Sequence, residues 1–257
     1  MNIGERNELI IKLKLIDLRD TQTPINIGNN INIIKSVGFN DEYKKLDGTF
    51  DVKTVSKLSD EKLYSLATIS GINKSPGRSK ADVFINGAGV SLKSMESAPP
   101  AIVNHTPRNG FEVACMHSKS KITDLDELIN IYWDLRTKGI IKEDIANRNA
   151  ESPFKSHKDL LKPILNYFLF DGSGQGMSNH QASLILDYKN PLQIETWHTY
   201  NKDNAVDLIW DRLIFSVRSK GMPEKFPDLE KERFESVKIW TQYFQNKYRG
   251  SLHIRTK

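Results

Sequence analysis

Apolar positions in the first twenty residues recur at helical spacing. Leu9, Leu13 and Ile16, with Ile10, share one side of a helix over 5–19, and neither Gly nor Pro interrupts it. The run IIKLKLIDL also alternates, so a strand competes; helix is the preferred reading. Thr-Gln-Thr-Pro at 21–24 ends it. Residues 29–39, NNINIIKSVGF, alternate and are β-branched, which predicts a strand. A helix is expected over 59–70, with Ser59 as N-cap and Asp60 and Glu61 in the first turn; Lys62 stands where a capping box would need an acid or amide. A Gly-, Pro- and Ser-containing loop follows at 71–80.

Two short apolar runs, DVFIN and VSLKS, flank Gly-Ala-Gly and predict a hairpin over 82–93. FEVACM, 111–116, reads as a strand. Residues 123–139 read as a helix with Thr123 as N-cap and Gly139 as stop. A further helix over 155–169 contains the disruptive Pro163. The texture changes after 171–179: 182–188 and 192–200 read as a hairpin and 211–219 as a strand. Residues 229–248 read as an amphipathic helix with Phe234, Val237, Trp240 and Phe244 on one face, and 249–257 as a terminal strand. Strands and helices mix without a βαβ rhythm, so the fold class expected is α+β, or mixed α/β. A boundary near 170 would separate a core over 1–170, carrying a helical insert, from a β-rich region with a long helix over 171–257. The two regions are expected to pack as one domain.

Composition narrows the class. With 257 residues, 38% hydrophobic and 27% charged in near balance, the chain is expected to fold rather than to be disordered. No apolar run approaches the length of a membrane span, and charges begin at Glu5 and Arg6, which argues against a secretory leader. The single cysteine, Cys115, can form no internal disulfide and no zinc cluster, so a reducing, cytoplasmic location is expected. A net charge of +5 raises the prospect of a polyanion partner, although many basic proteins have none. There is no Walker A loop, no G-x-S-x-G and no dinucleotide fingerprint. The Asn-His pairs at 104–105 and 179–180 have no Cys or His cluster around them.

The hairpin is the candidate for chemistry. Metal-assisted phosphodiester cleavage needs hard oxygen ligands converging on one ion and a group beside the attacking water. A two-residue turn at Gly87-Ala88 would set Asp82 opposite Lys93 on one face; a three-residue turn over Gly87–Gly89 would set it opposite Ser94. The sequence leaves both registers open. In either, Ser91 and Lys93 share a face. The bland alternative is that Asp82 caps a strand and Lys93 is a solvated edge residue.

Ala81-Asp82 followed by Ser91-Leu92-Lys93 resembles the PD-(D/E)xK nuclease motif of type II restriction endonucleases, junction resolvases and related enzymes. The middle acid is replaced by Ser91. Gly4-Glu5-Arg6-Asn7-Glu8 resembles the GxxxE that opens the first helix of many such nucleases, so Glu8 is the expected substitute, with Glu112 and Glu96 in reserve. Residues 89–111 are similar to a module of some type II restriction endonucleases: an (S/N)-x-K strand, a serine-proline segment, an asparagine loop and an aromatic residue. The resemblance covers about 80–116 and the N-terminus.

The resemblance implies a restriction-endonuclease-like core, a mixed central sheet flanked by helices. It implies Mg2+ held by Asp82 and Glu8, with Ser91 or a neighbouring carbonyl completing the shell through water, and Lys93 at the attacking water and the phosphate. The implied substrate is double-stranded DNA and the implied assembly a homodimer on a palindrome. Lys74, Arg78 and Lys80 would flank the scissile phosphate. Asn104, His105, Thr106, Arg108 and Asn109 follow the active strand, and Gln175, Asn179, His180 and Gln181 lie in a polar loop. Arg218 and Lys220, with Arg249, His253, Arg255 and Lys257, are candidate phosphate contacts. Each of these groups also has an ordinary reading as loop or surface, and Trp197, Trp210 and Trp240 read as core. The alternatives to a restriction enzyme are a structure-specific or repair nuclease of the same superfamily and a non-catalytic DNA-binding protein on a nuclease fold.

Overall fold

The computed structural model describes all residues except 29–30, 40–42, 47–50, 73–74, 76, 95–100, 223–230 and 257, and no side chains at 231–234. Its elements are α1 (Ile3–Asp20), α2 (Asp60–Ile69), β1 (Val83–Ile85), β2 (Ala88–Ser94), β3 (Ala101–Pro107), α3 (Arg108–Ser118), α4 (Ile122–Thr137), β4 (Ile145–Ala146), α5 (Lys158–Asn166), β5 (Gly172–Ser173) and β6 (Gly176–Met177). They continue with β7 (Leu184–Tyr188), β8 (Trp197–Asn201), α6 (Ala205–Ile209), β9 (Leu213–Arg218), α7 (Lys231–Lys238), β10 (Gln242–Phe244), β11 (Lys247–Arg249) and β12 (Ser251–Thr256). The chain is α+β, with four-stranded sheets and helices flanking them. Its internal contacts form two compact units: 1–100 with 179–202, and 101–178 with 203–257.

In the first unit, α1 opens with a capping box. The Asn2 side chain accepts from the Glu5 N–H, and the Glu5 carboxylate accepts from the Asn2 N–H. Such a cap contributes about 1 kcal/mol. Ile10, Ile11, Leu13, Leu15, Ile16 and Leu18 are all buried, so the helix is enclosed on most of its circumference. A helix buried that widely carries apolar residues beyond one stripe, which is why the run also alternates. These residues pack with Val83, Ile85, Val90, Leu92, Leu186 and Tyr188 in one core. The sheet order is β1-β2-β7-β8: β1 and β2 are antiparallel, β2 and β7 parallel, β7 and β8 antiparallel. Helix α2 is capped by Ser59, whose side chain accepts from the Lys62 N–H.

The strand expected over 29–39 is absent from its described residues, 31–39. Among the described ones, Ile31 and Val37 form only isolated bridges, to Ile27 and Ile85. The Asn86 side chain takes the backbone groups a ladder would use: its Oδ1 accepts from Lys35 N at 2.7 Å and Ser36 N at 3.1 Å, and its Nδ2 donates to Ile33 O at 2.8 Å. Side-chain partners of this kind compete with regular structure.

The second unit is built on the sheet β3-β12-β9-β4, antiparallel throughout. Residues 111–116, expected as a strand, belong to α3; Phe111, Ala114 and Cys115 are buried there, at i, i+3 and i+4. Helix α4 begins one residue before Thr123, which is inside the helix and does not cap it. Helix α5 holds Pro163 and passes into a π-turn at Tyr167–Asp171. The long helix expected over 229–248 stops at Lys238, and a β10–β11 hairpin follows. Trp240 and Phe244 therefore lie outside that helix, and the Phe234 side chain lies outside the described residues.

Candidate functional site

The hairpin takes neither of the two registers considered. Its turn is Asn86-Gly87, with φ of 50° and 80°, and Ile85 pairs with Ala88, Phe84 with Gly89, and Val83 with Val90. Asn-Gly suits a two-residue turn in which both residues have positive φ, so the turn closes one residue earlier than the Gly-Ala-Gly run suggests. Asp82 is thereby brought beside Ser91. The Asp82 N–H also donates to Val90 O at 2.8 Å, although Val90 is the partner of Val83, so the strand is bulged at its start. The Asp82 carboxylate lies along the edge of β2, where Oδ2 accepts from Leu92 N at 2.7 Å and Ser91 Oγ at 3.2 Å. Ser91 is buried, and Lys93, two residues on, shares its face and is half-buried.

Glu8 is on α1 in the same unit. Its Oε1 accepts from Lys12 Nζ at 2.6 Å, one helical turn on, and the Lys12 side chain has no exposed surface. Nearby, Asn7 Nδ2 donates to Ser94 Oγ at 3.4 Å, and Ser94 is hydrogen-bonded to the Tyr188 hydroxyl. Burial pushes the Tyr188 phenol well above its usual range. The negative charges of Glu8, Asp82 and Asp187 push it further, against the Ser94 hydrogen bond. Tyr188 thus senses three carboxylates from three different parts of the unit and stays a neutral hydroxyl.

The parallel pairing of β2 with β7 adds residues that the sequence pattern does not reveal. Lys93 is the register partner of Asp187, and Asp187 of His198 on β8. Register partners point to the same face, so a lysine, a carboxylate and an imidazole stand in a row across three strands. Asp187 sits in the apolar run LILDY with no nearby motif, and only knowledge of the β2–β7 pairing identifies it. Lys12 is legible as the residue four beyond Glu8, but its burial is not.

The candidate DNA-reading residues divide between the units. In the first, Lys80 and Arg78 precede Asp82; Arg78 is exposed with φ 65°, and Lys80 N donates to His180 O at 2.9 Å. His180 packs edge-on against Phe39 and Phe84. Asn179 is exposed. Lys74 and Glu96 lie outside the described residues.

In the second unit, Asn104 and Gln175 are exposed, and Thr106 is half-buried on β3. His105 is brought together with Arg218 and Lys220: burial, then the charges of Lys220 and Arg218, lower its pKa. It stacks on His253 with ring centroids 4.4 Å apart. Arg218 and Arg255 bond Asp144 at 2.6 and 2.8 Å, and Arg249 pairs with Glu143. These three arginines are joined through acids rather than standing as separate phosphate contacts. Lys257 lies outside the described residues.

Arg108 requires correction. It is buried, forms two parallel 2.8 Å bonds to Asp126 and also pairs with Glu112. Trp240 Nε1 donates to the same Asp126 at 2.6 Å. Arg108 therefore organises the interior of its unit rather than facing a base edge, and Glu112, a reserve metal ligand, is its ion-pair partner.

Among the described residues no three His, Cys, Asp or Glu side chains form a metal-holding group, so there is no zinc-type cage. Magnesium keeps most of its waters and takes one or two carboxylates together with phosphate oxygens. Glu8 and Asp82 are the two carboxylates that would hold such an ion; Glu8 engages Lys12 through Oε1, and Asp82 engages Leu92 and Ser91 through Oδ2. Among the described residues no helix is long and apolar enough to cross a membrane. Compared with known proteins, the chain matches no family model, no curated protein and no solved structure.

Proposed function

We propose that the protein is a magnesium-dependent endonuclease of double-stranded DNA, of the type II restriction class, with its active site on the β1–β2 hairpin of the first unit. One observation carries this reading. The register sets Asp82 beside Ser91, with Lys93 two residues further on the same face, which is the spatial order of acid, middle position and lysine in the motif. The mixed sheet, with an antiparallel hairpin joined to a parallel β7, and a capped first helix carrying Glu8, agree with it.

In this reading Glu8 and Asp82 hold the cation, and the Ser91 and Leu92 donors fix the direction of the Asp82 carboxylate. Lys93 lies over the scissile phosphate, orients the attacking water and balances charge on the phosphoryl oxygens. Bound magnesium would supply a Lewis acid and a water of lowered pKa. The substrate is a short palindrome, cut by a homodimer. Gel-shift and cleavage assays on Lys93→Ala test the assignment: binding retained with cleavage lost supports it, and full cleavage overturns it.

A second reading, a non-catalytic DNA-binding protein, is favoured by Ser91 itself. Its hydroxyl and the Leu92 amide give the Asp82 carboxylate a structural role as a strand cap. Cleavage by the wild-type protein separates the two.

A further inference from the structure

A buried lysine is expensive unless something requires it. Lys12 has no exposed side-chain surface, while its partner Glu8 is 33% exposed. The other charged pairs along α1, Lys14–Asp17 and Arg19–Asp20, keep both members partly in solvent. Around Lys12 the helix buries Ile10, Ile11, Leu13, Leu15 and Ile16, an environment that would accept an apolar side chain. Replacing both members of a buried ion pair with well-packed apolar residues is often neutral or stabilising, so stability alone is a weak reason for the Lys12–Glu8 pair.

We propose that Lys12 is a positioning residue for the cation site: it grips Glu8 Oε1 from behind, on the same rigid helix, and presents the other carboxylate oxygen to a divalent ion shared with Asp82. This rests on the reading of Glu8 and Asp82 as cation ligands. The i to i+4 spacing and the 2.6 Å contact fix the carboxylate by one helical turn rather than by a loop. Groups that hold a metal ligand from behind in this way change metal affinity by about 10–100-fold when removed.

The experiment is calorimetric titration of Mn2+ into metal-free wild type, Glu8→Ala, Asp82→Asn, Lys12→Met and Lys12→Gln, with the metal-free Tm of each. Lys12→Met is expected to bind Mn2+ at least about tenfold more weakly with a Tm near wild type, since the Glu8 left behind is 33% exposed and can be hydrated, and Lys12→Gln, which can still donate to Glu8, to recover part of the affinity. If Glu8→Ala and Asp82→Asn lose binding but Lys12→Met binds within about twofold of wild type, the positioning role is overturned and the cation site stands. If Glu8→Ala and Asp82→Asn bind as well as wild type, or wild type binds nothing, the cation site itself fails. If both Lys12 variants fail to fold, Lys12 belongs to the scaffold and the proposal is overturned.

Discussion

The Asp82 Oδ2 atom lies 2.7 Å from the Leu92 amide, so a side-chain carboxylate stands where a longer β1 would bring a backbone carbonyl to β2. One residue then carries two roles, and substitutions can separate them. Asp82→Ala leaves a part-buried donor without its acceptor, at a cost of about 1–3 kcal/mol. Asp82→Asn keeps an oxygen for Leu92 and Ser91 and removes the charge. We expect Asp82→Asn to unfold in urea close to wild type while losing metal-dependent cleavage, and Asp82→Ala to lose both stability and cleavage. Retained cleavage in Asp82→Asn would restrict the residue to its capping role.

The turn residues set this geometry. Gly87 sits at φ 80°, and a Cβ added there would meet no heavy atom, so only the backbone conformation resists a side chain. Gly87→Ala is expected to destabilise by about 1 kcal/mol, with the hairpin retained. Asn86 is different, because its side chain ties 33–36 to the turn. Asn86→Ala should cost more than Gly87→Ala in the urea midpoint; equal costs would show that the ties contribute nothing.

How much of this is legible in the sequence depends on how local each feature is. Helix α1 follows from spacing, with its Asn2 cap added only by the structure; α2 follows from the Ser59 cap and an acidic first turn, and the β1–β2 hairpin from two short runs. Its register does not, because Gly-Ala-Gly reads as the turn while Asn86-Gly87 forms it, and moving a turn by one residue changes every partner. The strand expected at 111–116 is a helix because six apolar-rich residues satisfy either period, while Phe111, Ala114 and Cys115 carry the helical one. The Lys93–Asp187–His198 row depends on a parallel pairing between segments far apart in the chain, which no local pattern announces. Arg108 has a plausible base-reading sequence context, and only its burial against Asp126 reveals its structural role.

That role makes a distinct prediction. Arg108→Ala leaves Asp126 without its two-pronged partner and should destabilise the second unit by about 3–5 kcal/mol, whatever nucleic acid the protein binds. Chemical unfolding of the variant checks this. A variant as stable as wild type but altered in sequence preference would restore Arg108 to a reading role.

The stacked imidazoles predict acid sensitivity. Burial, then His105 and the Arg218 and Arg255 charges, push His253 down to about 4, against a backbone hydrogen bond at Val103. The unfolded chain takes up this proton near its ordinary value of about 6.5. Between those values the unfolded state binds a proton that the folded state does not, so stability falls as pH falls from about 6.5 towards 4. Asp144 acts in a lower window: its carboxyl is costly to bury, but its Arg255 and Arg218 hydrogen bonds hold it below the usual carboxylate range. The urea midpoint should drop between about pH 7 and pH 5, and His253→Gln should flatten that drop. An unchanged slope would remove His253 as its source.

The most direct measurement is incubation of the purified protein with unmethylated phage DNA, with and without magnesium, beside Asp82→Asn and Lys93→Ala. Discrete fragments are expected from the wild type with magnesium, none without it, and none from either variant. Intact DNA in every lane, from protein shown to be folded, would contradict it.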